Sequence, residues 1–157
     1  MRVSEYFTLA EVEHSNEAVR LGINNSLPAS LYGAIRHTAA RADVVRKILN
    51  VPMIISSWYR CSALNRALKS PDSSQHVKGE AIDFYAPAFG SPAKICKTLL
   101  QNKELISWDQ LILEHTWVHI SFKYPGTPGR LNRGEVLTLL QDKTYAVGLT
   151  DFRGNPV

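Results

Sequence analysis

Two histidines and an aspartate, His76, Asp83 and His119, have the types and spacing to share one metal ion. His76 and Asp83 stand seven positions apart in Ser74-Gln75-His76-Val77-Lys78-Gly79-Glu80-Ala81-Ile82-Asp83. Fully extended, that stretch would span roughly 23 Å. Ligands of one zinc lie only a few Å apart, because each bond is about 2.0–2.2 Å. The chain must therefore fold back, and Gly79 is the residue that permits the turn. Ala81 to Tyr85 reads as a strand, with Ile82 and Phe84 on one face and Ala81, Asp83 and Tyr85 on the other. An aspartate among Ala, Ile and Phe is costly to bury uncompensated. A metal would compensate it, and so would backbone N–H groups.

The third ligand is expected from a hairpin of Gln110–Glu114 and Thr116–Phe122. If His115-Thr116 form its two-residue turn, Glu114 faces Trp117 and Ile112 faces His119. Glu114 and His119 then share a face as diagonal neighbours, about 7–8 Å apart between backbones. Two histidines and one carboxylate leave the fourth position of a zinc ion open, the pattern of catalytic sites. A nearby carboxylate can take a proton from activated water. His14 and His37 fall in predicted helices without acidic or cysteine partners at helical spacing, and are read as structural.

The elements that must hold these residues are legible in outline. Thr8-Leu9-Ala10-Glu11 fits a capping box. Ser15 caps a second short helix that Gly22 would end. Pro28 suits the first turn of a longer helix, whose apolar residues Leu31, Ile35, Ala39, Ala42, Val45 and Leu49 recur at helical steps until Asn50 and Pro52 stop it. Met53-Ile54-Ile55 reads as a buried strand, and a short helix runs from about Ser62 to Lys69. Another helix runs from Ser91-Pro92 to about Lys103. Beyond Tyr124 the Pro, Gly and Arg content implies a loop, then a last strand pair. Helices followed by strands without regular alternation favour an α+β fold. One domain over 1–157 is expected, with a core of about 6–124 and an extension of 125–157.

Composition is that of a soluble globular chain: 45% hydrophobic and 20% charged over 157 residues. Cys61 and Cys96 are too few for a disulfide scaffold and are read as thiols. The N-terminus lacks an apolar run of signal-peptide length, so synthesis in a cytoplasm is expected. No stretch approaches the ~18 apolar residues that would insert in a membrane. The net charge of +4 comes from scattered residues without a Lys/Arg run. It fits a polyanionic cell envelope as well as nucleic acid, and nucleic acid is not expected as the partner.

Ser74-x-His76-x-x-Gly79-x-Ala81-x-Asp83, followed by Trp117-Val118-His119, resembles the M15 zinc peptidases. These include D-alanyl-D-alanine carboxypeptidases, dipeptidases and phage endolysins that cleave L-alanyl-D-glutamate bonds. The resemblance extends from about Tyr6 to Phe122, with Phe7-Thr8-Leu9-Ala10-Glu11, Ser57-Trp58-Tyr59-Arg60 and Asn65 as further pieces. It is greatest to the short single-domain subgroup of phages and prophages. It implies a small antiparallel sheet carrying the zinc site, flanked by helices, in a DD-peptidase/hedgehog-like fold. It implies one zinc ion held by His76, Asp83 and His119, and an arginine, Arg60, that contacts substrate or the charge on the scissile carbonyl. Ser74 would hydrogen-bond to substrate or hold the loop.

The implied substrates are peptidoglycan stem peptides, reached by a monomer after membrane damage or lysis. Two positions depart from the family's usual pattern. Many members carry the catalytic acid where this chain has Thr116, which cannot act as a base, and Glu114 is the nearest carboxylate. Many also carry His where this chain has Trp117. Either His115 replaces that imidazole or Trp117 lines the substrate cleft. The competing expectation is a zinc-stabilised module that grips cell-wall peptide without cutting it.

Overall fold

The computed structural model describes residues 1–126 and 131–157, so residues 127–130 of the expected loop lie outside it. The first helices follow their caps. Thr8 Oγ1 accepts from Glu11 N while the Glu11 carboxylate accepts from Thr8 N, which starts α1 (Leu9–Glu13). Ser15 caps α2 (Asn16–Leu21), and Gly22 closes it in the left-handed region. Pro28 does not enter the long helix. It precedes a tighter 3-10 turn, Ala29–Leu31, so α3 (Tyr32–Leu49) begins one turn later than expected. Ile35, Ala39, Ala42, Val45 and Leu49 of α3 are buried, Leu31 is partly buried, and Asn50 ends the helix at φ 54°.

The remaining elements are β1 (Ile54–Ser57), α4 (Ser62–Ala67), β2 (Ala81–Tyr85), α5 (Pro92–Gln101), α6 (Lys103–Ile106), β3 (Gln110–Leu113), β4 (Val118–Ser121), β5 (Glu135–Leu139) and β6 (Tyr145–Val147). The fold is α+β, as expected. The helix from Ser91 is broken at Asn102, after which α6 restarts. β1 is an edge strand rather than a buried one, and Ile54 is exposed. Cys61 and Cys96 are free thiols; Cys96 is buried, and burial pushes its pKa up to about 12.

The six strands form one sheet in the order β1-β2-β4-β3-β5-β6. It is larger than expected and mixed: β5 runs parallel to β3, while every other pairing is antiparallel. The reason is topological. β4 ends beside the start of β3, with Ser121 opposite Gln110. The chain therefore re-enters the sheet at that end, and a strand laid on the free edge of β3 must run in the direction of β3.

Alternation along these strands gives the sheet two unlike faces. Ile82, Phe84, Leu111, Leu113, Val118 and Ile120 point to one face and are all buried, in one cluster with the apolar side of α3 and with Ile95 and Leu99 of α5. Each such side chain contributes about 1.5–3 kcal/mol on burial. The other face carries Asp83, His119, Ile112 and Glu114, which the register brings side by side.

One glycine joins the two layers. Gly79 sits at φ 72°, and a Cβ there would lie 2.7 Å from Cδ1 of Ile35 on α3. Gly79→Ala therefore combines backbone strain with a clash against a buried side chain. We expect a loss of roughly 2 kcal/mol in urea denaturation. A loss below about 0.5 kcal/mol, the range of neutral surface changes, would refute this role for Gly79.

Candidate metal centre

The segment between β1 and β2 is tied down before it reaches the site. Asn25 donates to Tyr59 O and Glu13 O and accepts from Cys61 N. Trp58 is fully buried, stacks edge-on with Phe7, and donates from Nε1 to Gly79 O. The Trp58 carbonyl lies 2.7 Å from Nδ1 of His76. A carbonyl can only accept, so Nδ1 carries the proton and Nε2 is left to face the site. The turn after His76 closes through Gly79 N to His76 O and Glu80 N to Gln75 O, which starts β2. The fold-back required by the spacing of His76 and Asp83 is thus present.

His76, Asp83 and His119 converge: one ligand atom from each lies within 4.8 Å of the others. Two ligands of a single zinc stand at most about 4.4 Å apart, so small side-chain adjustments bring all three to one ion. Asp83 Oδ2 is 3.2 Å from His76 Nε2, and Asp83 Oδ1 is 2.9 Å from His119 Nδ1. Burial alone would raise the Asp83 carboxyl, but the two imidazoles outweigh it and hold its pKa well below the ordinary range. Burial lowers His76, with Asp83 opposing. Burial also acts to lower His119, yet the hydrogen bond and charge of Asp83 leave it raised.

The donor chemistry fits a cation. With its proton on Nδ1 and burial favouring the neutral ring, His76 presents a lone pair from Nε2. That lone pair meets an ionised carboxylate oxygen at 3.2 Å. A buried carboxylate facing this nitrogen needs a positive charge between them, which a bound cation or a proton on Nε2 supplies. Asp83 finds its partners in His76, His119 and Arg60 side chains, which favours the metal reading of this aspartate over backbone satisfaction.

The hairpin has the register expected from sequence. Ile112 pairs with His119, and Glu114 N donates to Trp117 O. Glu114 is half-buried beside the three ligands; burial first, and then the Asp83 charge, push its pKa up to about 7. Arg60 is mostly buried, with Nε donating to Ser57 Oγ and Nη2 3.5 Å from Asp83. A shift in pairing after Ile55 sets Ser57 opposite Asp83 and so brings this anchor to the site. Burial lowers Arg60 from its usual pKa, against Asp83 and Glu114.

Ser74 Oγ accepts from His76 N, so its hydroxyl holds the loop, and the residue also lines the cleft. Trp117 lines the cleft as well. His115 is exposed at the hairpin tip against Phe152, away from the three ligands, and Thr116 is exposed beside it. Of the two replacements considered for the missing imidazole, the position of Trp117 is the one in the cleft. His14 is exposed, and His37 packs edge-on against Tyr124.

A cleft of about 640 Å³ lies over the ligands and contains all the residues singled out for a site role. Several lining residues were not foreseen. Gln75, inside the motif itself, has a buried amide nitrogen with no partner among the described residues, and so does the indole N–H of Trp117. That N–H nevertheless lies near enough to Glu114 to favour its carboxylate form. Both residues line the cleft, while these two nitrogens are themselves buried. Leu137 and Tyr145 come from β5 and β6. Nothing in the local sequence marks them, because their place depends on which strand β5 joins.

Comparison with known proteins agrees with this geometry. No curated protein matches the chain. The family model described as Peptidase M15 matches residues 5–121, which includes all three candidate ligands, Arg60, Ser74, Glu114 and Trp117. With three quarters of its length matched, and with the His-Asp-His cluster assembled on one face of its sheet, the chain belongs to the peptidase M15 family.

Proposed function

We propose that the chain is a zinc-dependent hydrolase of peptidoglycan stem peptides, cutting either a terminal D-Ala-D-Ala bond or an internal L-Ala-D-Glu bond. Family membership makes it a peptidase; the observation that carries the finer reading is the half-buried Glu114 standing beside His76, Asp83 and His119 at the floor of an open cleft. These three residues would hold one zinc ion. When bound, zinc supplies Lewis acidity toward a carbonyl and lowers the pKa of water to around 7.

The other residues divide the remaining work. Glu114 accepts the proton of the attacking water and delivers it to the leaving amine. Its raised pKa suits both halves of that transfer. Arg60, held by Ser57, directs a fixed positive charge at the oxygen that becomes negative. Trp117 and Gln75 line the path of the peptide over the ligands and shape it. Ser74 keeps His76 in place through the loop. We place the protein in phage or prophage lysis, synthesised in the host cytoplasm and acting as a monomer on the wall after release.

Purified protein supplied with zinc should release free D-alanine or new amino termini from defined muropeptides, and chelation should abolish both. Mass analysis of the products separates the two bonds. Absence of any product with zinc present would end the proposal.

Glu114→Gln distinguishes a catalyst from a module that only grips peptide. Turnover should fall by roughly 10²–10⁴-fold, with zinc content by metal analysis unchanged. Unaltered turnover would exclude Glu114 as the base.

The same variant has an expected signature in stability. The folded pKa of about 7 exceeds the ordinary value of 4.5. The folded state therefore binds the proton more tightly, and stability declines as pH rises from 4.5 through 7. In chelator-treated protein at pH 8, Glu114→Gln should gain on the order of 1–2 kcal/mol in urea denaturation, after allowing for solvent screening. The gain should vanish near pH 4, and equal effects at both pH values would contradict it.

A further inference from the structure

The strands β5 and β6 lie outside residues 5–121 that match the family, yet they form one wall of the cleft. Pairing across the sheet sets Asp83, His119, Ile112 and Leu137 in one row. Leu137 is thus two strands from His119, about 9–10 Å at the usual strand spacing. An extended peptide covers that distance in about three residues. Tyr145 is paired with Leu139 on the same side of the sheet and also lines the cleft. Burial, and then the charges of Glu114 and Asp83, raise its phenol pKa, which keeps the hydroxyl neutral.

This wall is fixed in place. Trp108 Nε1 donates to Glu135 O, and Gln110 Nε2 donates to Glu135 Oε1 at 2.6 Å. Arg133 grips the fully buried Asp109 carboxylate through two nitrogens. Thr138 Oγ1 donates to Gly148 O between the neighbouring strands. A rigid support therefore presents an aliphatic and an aromatic side chain to the cleft, with Tyr145 53% exposed although it stands beside the site. Apolar side chains held open at a polar cleft are the usual make-up of a recognition pocket.

We propose that Leu137 and Tyr145 form a recognition subsite for an apolar side chain of the substrate peptide, two to three residues from the bond that is cut. The inference rests on the reading of this cleft as a peptidase site. Anionic side chains are disfavoured there, because Arg133 is already paired with Asp109 and the carboxylates of Glu114 and Asp83 act on Tyr145.

The test compares zinc-loaded full-length wild type with Tyr145→Ala and Leu137→Ala. Substrates are defined muropeptides and a positional peptide library. KM should rise about five- to tenfold in each variant, with kcat held within about twofold and the preference for apolar residues lost at one position. Val19→Ala, on the exposed side of α2 and not lining the cleft, should match wild type. Unchanged KM and unchanged side-chain preference in both variants would overturn the subsite. Cleavage of library peptides but not muropeptides would defeat the cell-wall reading while still scoring the subsite, whereas cleavage of neither would overturn both. Should Leu137→Ala lose melting temperature, Tyr145→Ala decides, since its side chain is exposed on an edge strand.

Discussion

A buried carboxylate must be neutralised where it stands, and Asp83 sets that constraint for the whole molecule. It projects from a strand whose neighbours Ile82 and Phe84 are locked into the core. It cannot turn away without unseating them, because a one-residue slip would invert every side chain of β2. His76, His119 and Arg60 must therefore come to it. Each arrives by a different route: a tight turn through Gly79, a hairpin register, and an irregularity in β1. The sheet divides the labour, with one face providing stability and the other holding groups that would be destabilising alone.

That division explains why the helices lie where they do. α3 and α5 add apolar surface to the core face, while on the site face the segment from Trp58 to Gly79 brings Arg60, Ser74 and His76 to the cleft. The cover is held by packing of Trp58, Tyr59 and Leu64 and by hydrogen bonds: Asn25 to the 59–61 backbone, Trp58 to Gly79, and Asn65 to the carbonyls of Ser70 and Pro71. A cover of this kind holds a histidine in position at the edge of the cleft.

The ligands and the hairpin partner of Glu114 were legible because their constraints are local. A seven-residue spacing with one glycine, an alternating strand and a two-residue turn each fix geometry within about ten residues. The caps of α1 and α2 were legible for the same reason. The errors have a common cause in nonlocal pairing. Ile54 was expected to be buried because its run is apolar, but only the sheet order makes β1 an edge. The mixed sheet followed from where β4 ends, which no segment of sequence states. Leu137 and Tyr145 were invisible as site residues because their partner strand had to be known first. Gln75 was missed although it lies inside the motif, since only the folded turn reveals that its amide nitrogen has no partner among the described residues.

The parallel placement of β5 has a consequence for how such a site can change. The ligands sit on β2, β4 and the loop before β2, with Glu114 beside the end of β3, all within the family match. The wall opposite the covering loop is supplied by strands outside that match. Substitution there alters a rim, since Tyr145 contributes little to the core and much to the cleft. Substitution at Ile82 or Val118 would instead open a cavity beneath a ligand strand, at a cost of about 0.5–5 kcal/mol depending on the side chain removed. Selectivity and chemistry thus rest on separate strands of one sheet, joined by the Ile112–Leu137 pairing. The peptide that best satisfies the rim can differ between chains that keep the same three ligands, because the hydrogen bonds that hold β5 to β3 leave its cleft-facing side chains free to vary.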